Sequence, residues 1–337
     1  MNYHEFLKRK YRFGLFILLS LIAFILISIS IGSYHLPFHE ILAGNPVIMN
    51  IRLPRIITAI LVGASLAVSG AVMQCVLRNY LASPFTLGIS QGAAFGAAFA
   101  IIYLGVGIMH RTGEGITILN PYIISLFAFF GSLISVFVIL LLSKLRTLSP
   151  ESMILAGVAM ASLFQASTML MQYFAENEVL IASVVFWTFG DVGRTVWMEI
   201  SIIFVAFVFS LIYFFYRRID YNTLLSGDEV ALSLGVDVKR IRLEGMLVSS
   251  FLTSVCVSFT GIIGFVGLVA PHVVRIIIGG DYRFLILIST LVGALLLLLA
   301  DTIGRMIISP VVIPVGIVTA FIGAPTFIYL LMRGEVR

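Results

Sequence analysis

Apolar residues run along this chain in nine long segments: roughly 13–32, 56–77, 86–107, 121–142, 152–174, 195–216, 243–262, 284–308 and 312–332. A helix rising about 1.5 Å per residue needs roughly 20 apolar residues to cross a hydrocarbon core about 30 Å thick. Each segment therefore predicts a membrane-spanning helix. A tenth, about 264–280, is shorter and contains Pro271, so hydropathy alone leaves its crossing open. Lys8, Arg9, Lys10 and Arg12 precede the first run, as in a secretory signal. The run from Phe13 to Ile31 is a full span long, however, and no small-residue cleavage site follows it. It is read as a retained first helix with its N-terminus in the cytoplasm.

The basic residues settle the count. With ten crossings, 16 of the 21 Lys and Arg fall on the cytoplasmic side and 5 outside: Arg52, Arg55, Arg111, Arg194 and Arg305. If the tenth segment does not cross, the tally becomes 13 against 8. The excess of Lys and Arg in cytoplasmic loops favours ten helices with both termini cytoplasmic. Arg52 and Arg55 then stand out, flanking Leu53-Pro54 on the side the other basic residues avoid. An acidic partner outside the membrane is the expected reason.

Two connections exceed a turn. Residues 175–194 lie outside, and about 178–193 reads as an interfacial helix with Trp187 at headgroup level. Residues 217–242 lie inside and carry the densest charge in the chain. There Ser226-Gly227-Asp228-Glu229 matches a capping box ahead of an apolar run. Gly235 would end that short helix and Asp237 would start another. A bare connection needs far fewer residues, so about 220–241 is expected to dock a cytoplasmic protein.

Composition narrows the chemistry. Of 337 residues, 60% are hydrophobic and 11% charged, so the net charge of +5 bears on membrane orientation, not on nucleic acid. Cys75 and Cys256 lie in apolar runs and read as small buried hydrophobes. No phosphate-binding loop, metal-ligand cluster or nucleophile–base set is present in the sequence, and His272 beside Pro271 reads as structural. Charged groups at membrane depth, the usual equipment of ion coupling, are nearly absent. Asp301 is the clearest, with Arg305 four residues on and able to pair with it. Catalytic, cofactor and metal residues are therefore expected to be none, and energy for uphill movement would come from another subunit. An autonomous secondary transporter or an intramembrane enzyme is correspondingly disfavoured.

What the spans do carry is small and neutral. Gly88, Gly92 and Gly96 form one packing stripe, and Gly63, Ala67 and Gly70 another. In the fifth span Ser162, Gln165, Thr168/Met169 and Gln172 share a face, and in the last Gly316, Thr319, Gly323 and Thr326 do. Such faces suit either a weakly binding translocation path or interhelical hydrogen bonds.

Four runs resemble the FecCD-type permeases, the membrane subunits of ABC importers for iron–siderophores, haem and vitamin B12. They are RLPRIITAILVGASLAVSGAVMQCVLRNYLASPFTLGISQGAAFG (Arg52–Gly96), ALSLGVDVKRIR (Ala231–Arg242), GIIGFVGLVAPHVVR (Gly261–Arg275), and ADTIGR (Ala300–Arg305) followed by IPVGIVTAFIGAPTFIYLL (Ile313–Leu331). The resemblance implies an all-α polytopic membrane protein with a BtuC-like fold, one transmembrane domain over 1–337 with ten helices. It implies a homodimer in a bacterial or archaeal cytoplasmic (inner) membrane. Two separate ABC ATPases would carry ATP and Mg beneath it, and one periplasmic binding protein would sit above. It places Arg52, Arg55 and Arg305 against acidic side chains of the binding protein. It places Ser226, Asp228, Glu229, Leu232, Gly235, Val236, Lys239 and Arg240 at the ATPase, and lines the path with the fifth and tenth helices. The expected cargo is a metal chelate, most often iron–siderophore, with haem, cobalamin or an oxyanion such as molybdate as alternatives.

Overall fold

A computed structural model describes residues 3–31, 46–106, 109–112, 115–118, 121–145 and 149–332. The first helices are α1 (Tyr3–Ser30), α2 (Leu53–Val76), entered through a π-helical turn at Ile48–Arg52, and α3 (Ile89–Leu104). A small antiparallel hairpin follows, β1 (Met109–Thr112) on β2 (Gly115–Ile118), with Met109 opposite Ile118. Then come α4 (Pro121–Leu145), α5 (Pro150–Tyr173), α6 (Glu178–Thr188), a 3-10 turn at Val192–Arg194, and α7 (Trp197–Tyr216). Two short helices, α8 (Arg218–Leu225) and α9 (Asp228–Ser233), lead into α10 (Val238–Thr260). The chain closes with α11 (Val266–Ile278), α12 (Tyr282–Met306) and α13 (Val315–Met332).

Seven of these helices are long and apolar enough to cross a membrane: α1, α2 with its π-turn, α4, α5, α7, α10 and α12. The expected ten are not all spans by length. Helices α3 and α11 and the stretch Val315–Tyr329 of α13 are apolar but shorter. Thirteen residues of α11 rise only about 20 Å, short of a hydrocarbon core of about 30 Å. The hairpin is likewise outside the all-helical expectation.

Helix α2 is the axis of the bundle, with α12, α10 and α11 packed round it. Nearly all of it is buried, whereas the apolar stretch of α5 is largely uncovered. Backbone approach explains the glycines. A Cβ on Gly63 would strike the Gly293 carbonyl of α12, and one on Gly293 would strike Gly63 and Ala67. Gly92 and Gly96 meet α4 at Gly131 and Phe127 in the same way. Both stripes are packing surfaces.

Helix α6 starts where the interfacial helix is expected, at about 178–193, but stops at Thr188. Its Trp187 is buried in a cluster with Val184 and with Ala93, Ala94 and Ala97 of α3. An indole packs there because the α3 alanines leave room for it. On the other end of the bundle, the capping box shifts. Ser226 closes α8 and Gly227 opens α9 with no side-chain cap, so the expected bond from Ser226 does not form. Asp237 does cap, accepting from the Arg240 amide, but it starts the long helix α10 and not a second short one. The first short helix instead lies upstream, at α8.

Candidate functional site

The arginines come together at one end of the bundle, where α1 and α12 finish and α2 begins. Arg52 Nη1 donates to the Ile29 carbonyl at 2.6 Å, and Arg305 Nη1 to those of Ile31 at 3.1 Å and Ser28 at 3.3 Å. These are last-turn carbonyls of α1, which lack intrahelical partners and carry the negative end of the helix dipole. Arg305 Nε also lies 3.0 Å from Asp301 Oδ2, the pairing expected from their spacing. Arg55 bridges two elements: its Nε donates to Asp301 Oδ1 at 2.8 Å, and its Nη2 lies 3.1 Å from Asp191 Oδ1 in the turn before α7. Arg194 caps α6 through the Trp187 carbonyl at 3.1 Å. Burial lowers its pKa from the ordinary arginine value, opposed by Asp191.

This geometry corrects one expectation. Arg52 and Arg305 are each 6% exposed, and Arg55 is mostly buried. They do not form an open three-arginine surface. The basic residues on this end cap helix C-termini and neutralise a buried carboxylate. Asp191 was not visible as a partner in the sequence, because the pairing spans 136 positions (191 minus 55) and no periodicity links them.

At the opposite end the short helices expose their apolar side chains. Leu232 and Leu234 are 60% and 64% exposed. Ser226, Glu229, Gly235, Lys239 and Arg240 are exposed too, while Val236 is half-buried. Gly235 takes φ +82, a conformation that favours glycine. Asp228 is half-buried and paired with Arg78 at 3.2 Å and Arg242 at 3.3 Å. The platform is pinned to the bundle. Asp281, the N-cap of α12, accepts from Lys10 of α1 at 3.3 Å and from Asn222 of α8 at 3.0 Å. Burial pushes the Asp281 carboxyl up, but Arg283, Asn222 and Lys10 outweigh it and hold it well below the usual carboxylate range. Lys10, Asn222 and Asp281 were all missed in the sequence, where Lys10 stood only as one of a basic cluster.

The two neutral stripes separate. On α5, Ser162, Gln165 and Met169 are exposed in the single chain and Gln172 is half-buried. Thr168 turns inward and donates to the Phe164 carbonyl at 2.8 Å, so it leaves this face. On α13, Gly323 is buried, Thr319 is 1% exposed and Gly316 is half-buried. A Cβ on Gly316 would strike the Phe189 and Ile262 carbonyls, and one on Gly323 would strike the Phe265 ring. These three serve packing within the chain, and Thr326, like Gly316, stays partly accessible.

The FecCD transport family model matches residues 20–333. The chain belongs to that family. It is 58% identical to an ABC transporter permease protein of Methanocaldococcus jannaschii, over 98% of this chain and 97% of that one. It is 39% identical to the cobalamin import system permease protein BtuC of Halobacterium salinarum, over 86% of this chain and 74% of that one. A solved structure described as an inward-facing conformation of a metal-chelate type ABC transporter superposes with a TM-score of 0.85 and 31% identity. It covers 96% of this chain and 99% of its own. The chain is thus a polytopic FecCD permease. Its buried arginine cluster, its exposed short-helix platform and the open face of α5 are features of that permease.

Proposed function

We propose that this FecCD permease works as a homodimer, forming the membrane path of an ATP-driven importer. The observation that carries the reading is the face of α5. A helix this apolar that leaves Ser162, Gln165 and Met169 uncovered in the single chain needs another protein surface or water against its glutamine, since an amide in lipid is costly. A second copy across a central path supplies both. The ten-helix topology belongs to this proposal, with α3, α11 and α13 crossing alongside the seven long spans and both termini cytoplasmic. So do a single domain over the whole chain and a bacterial or archaeal cytoplasmic membrane.

Two ATPases, carrying ATP and Mg, would dock on α8 and α9 through Leu232, Leu234 and their neighbours Ser226, Glu229, Gly235, Lys239 and Arg240. One substrate-binding protein would dock on the arginine end. Because the guanidiniums there are already bonded, Arg52, Arg55 and Arg305 would act in docking by holding the helix ends that carry the contact. The cargo is proposed to be a metal chelate, first an iron–siderophore, with haem, cobalamin or an oxyanion such as molybdate as alternatives. An autonomous transporter is disfavoured because Asp301 is committed to Arg55 and Arg305.

Reconstitution of the permease with its ATPase and binding protein in liposomes tests the reading. Uptake of ferric siderophore should require ATP and all three components. Transport by the permease alone, without ATP, would overturn it.

A further inference from the structure

A cavity of about 640 Å³ lies where three spans end together: α4 at Lys144, α5 near Met153, and α10 from Lys239 to Leu243. Its walls are Phe137, Leu140 and Leu141 of α4 and Leu243 of α10. Lys144 and Lys239 stand at its mouth, both exposed. A third basic residue, Arg242, also lines it, but its charge is already matched. Arg242 Nε donates to the Val76 carbonyl at 2.7 Å and its Nη2 to Asp228 at 3.3 Å. Among the described residues no carboxylate lies within 4.0 Å of either lysine ammonium. The site therefore combines two lysines that have no ion pair among the described residues with an apolar chamber.

The apolar surface continues from the cavity along α10. Leu243, Leu247, Phe251 and Val255 recur every four residues, so they lie on one helical face. Leu247 and Phe251 are partly open in the chain. Phe251 and Val255 in turn floor two clefts of about 380 and 560 Å³ farther along α10, lined also by α4 or α7. The lining helices are long and apolar enough to cross a membrane, so lysines at their ends would stand at headgroup depth and the apolar strip would run into the hydrocarbon. Two cations at that depth above an acyl-sized groove match an anionic headgroup carrying a chain. A water-borne acidic peptide would gain nothing from the strip.

We propose that this cavity holds an anionic phospholipid, its phosphate between Lys144 and Lys239 and an acyl chain along Leu243, Leu247 and Phe251. The lipid would wedge α4 against α10 at the foot of the short-helix platform, tying the platform's seating to the leaflet beneath it.

The test uses the full-length permease in nanodiscs of equal parts phosphatidylglycerol and phosphatidylcholine, read by native mass spectrometry. The wild-type chain should retain phosphatidylglycerol preferentially. Lys144→Gln with Lys239→Gln should cut that preference by about fivefold per lysine removed. Leu243→Trp, which fills the chamber and keeps both lysines, should release the lipid while thermal unfolding stays near wild type. If the double lysine variant fails to fold, Lys144→Gln alone supplies the reading. Equal retention of both lipids by the wild type would overturn the proposal and leave the lysines as ordinary snorkelling side chains. So would undiminished preference in the lysine variants, or displacement by inorganic phosphate as effective as by phosphatidylglycerol. Loss of ATPase co-purification in Lys144→Gln with lipid retention intact would also overturn it, assigning that lysine to a protein contact.

Discussion

Arg55 owes its place to a carboxylate 246 positions away (301 minus 55). Asp301 is fully buried, and a buried charge left with one partner is expensive. Arg55→Ala should therefore lower stability by up to about 3 kcal/mol, measured as thermal unfolding in detergent. Adding Asp301→Asn should recover part of that loss, because the buried charge left with Arg305 alone is gone. Equal loss in the single and double variants would argue against this role. At the other end, Asp281 gives a pH signature. Its folded pKa lies below its ordinary value of 3.8, so its contribution is present above that value and is lost as pH falls through the lower folded pKa. Asp281→Asn should be less stable than wild type at neutral pH, and the gap should close in acid below pH 3.8. A gap that persists unchanged in acid would show that the carboxylate's charge is not the source.

Helices here are placed by how closely their backbones approach. Gly63 and Gly293 let α2 and α12 touch through main-chain atoms, and dispersion at that contact replaces the hydrophobic drive that lipid does not supply. Gly293→Val should cost at least about 1–3 kcal/mol and reduce the yield of folded permease on size-exclusion chromatography. The short helices are held differently. Their exposed leucines contribute little to the fold of the single chain, so Leu232→Glu with Leu234→Glu should leave thermal stability near wild type. The same variant should abolish co-purification of the ATPase if α9 is its seat. The stripes on α2 and α3 were legible as packing surfaces because small residues at four-residue spacing mean close approach wherever they occur. The stripes on α5 and α13 look alike in sequence, yet one is open and the other is packed on Phe189, Ile262 and Phe265. Nothing within either helix distinguishes them, since the difference lies in what the rest of the chain brings alongside.

At the scale of the molecule, the uneven covering of the helices is the functional feature. A buried α2 makes the scaffold, and an exposed α5 is the face that the proposed second copy and path would use. Gln165→Trp should block uptake in the reconstituted importer while the permease still folds and still binds its ATPase. Normal uptake would return Gln165 to a lipid- or interface-facing role without passage.

Hydropathy read the membrane and the principal spans, because the cost of a polar or charged group in lipid is local and applies to every segment separately. Four sequence runs were enough to suggest the family. The partners of the arginines depended on contacts between segments far apart in the chain. Charge counting marked Arg52, Arg55 and Arg305 as exceptions. Only the packed bundle shows that they answer α1's open carbonyls and the buried Asp301, because a guanidinium's function depends on which acceptors the fold brings within about 3 Å.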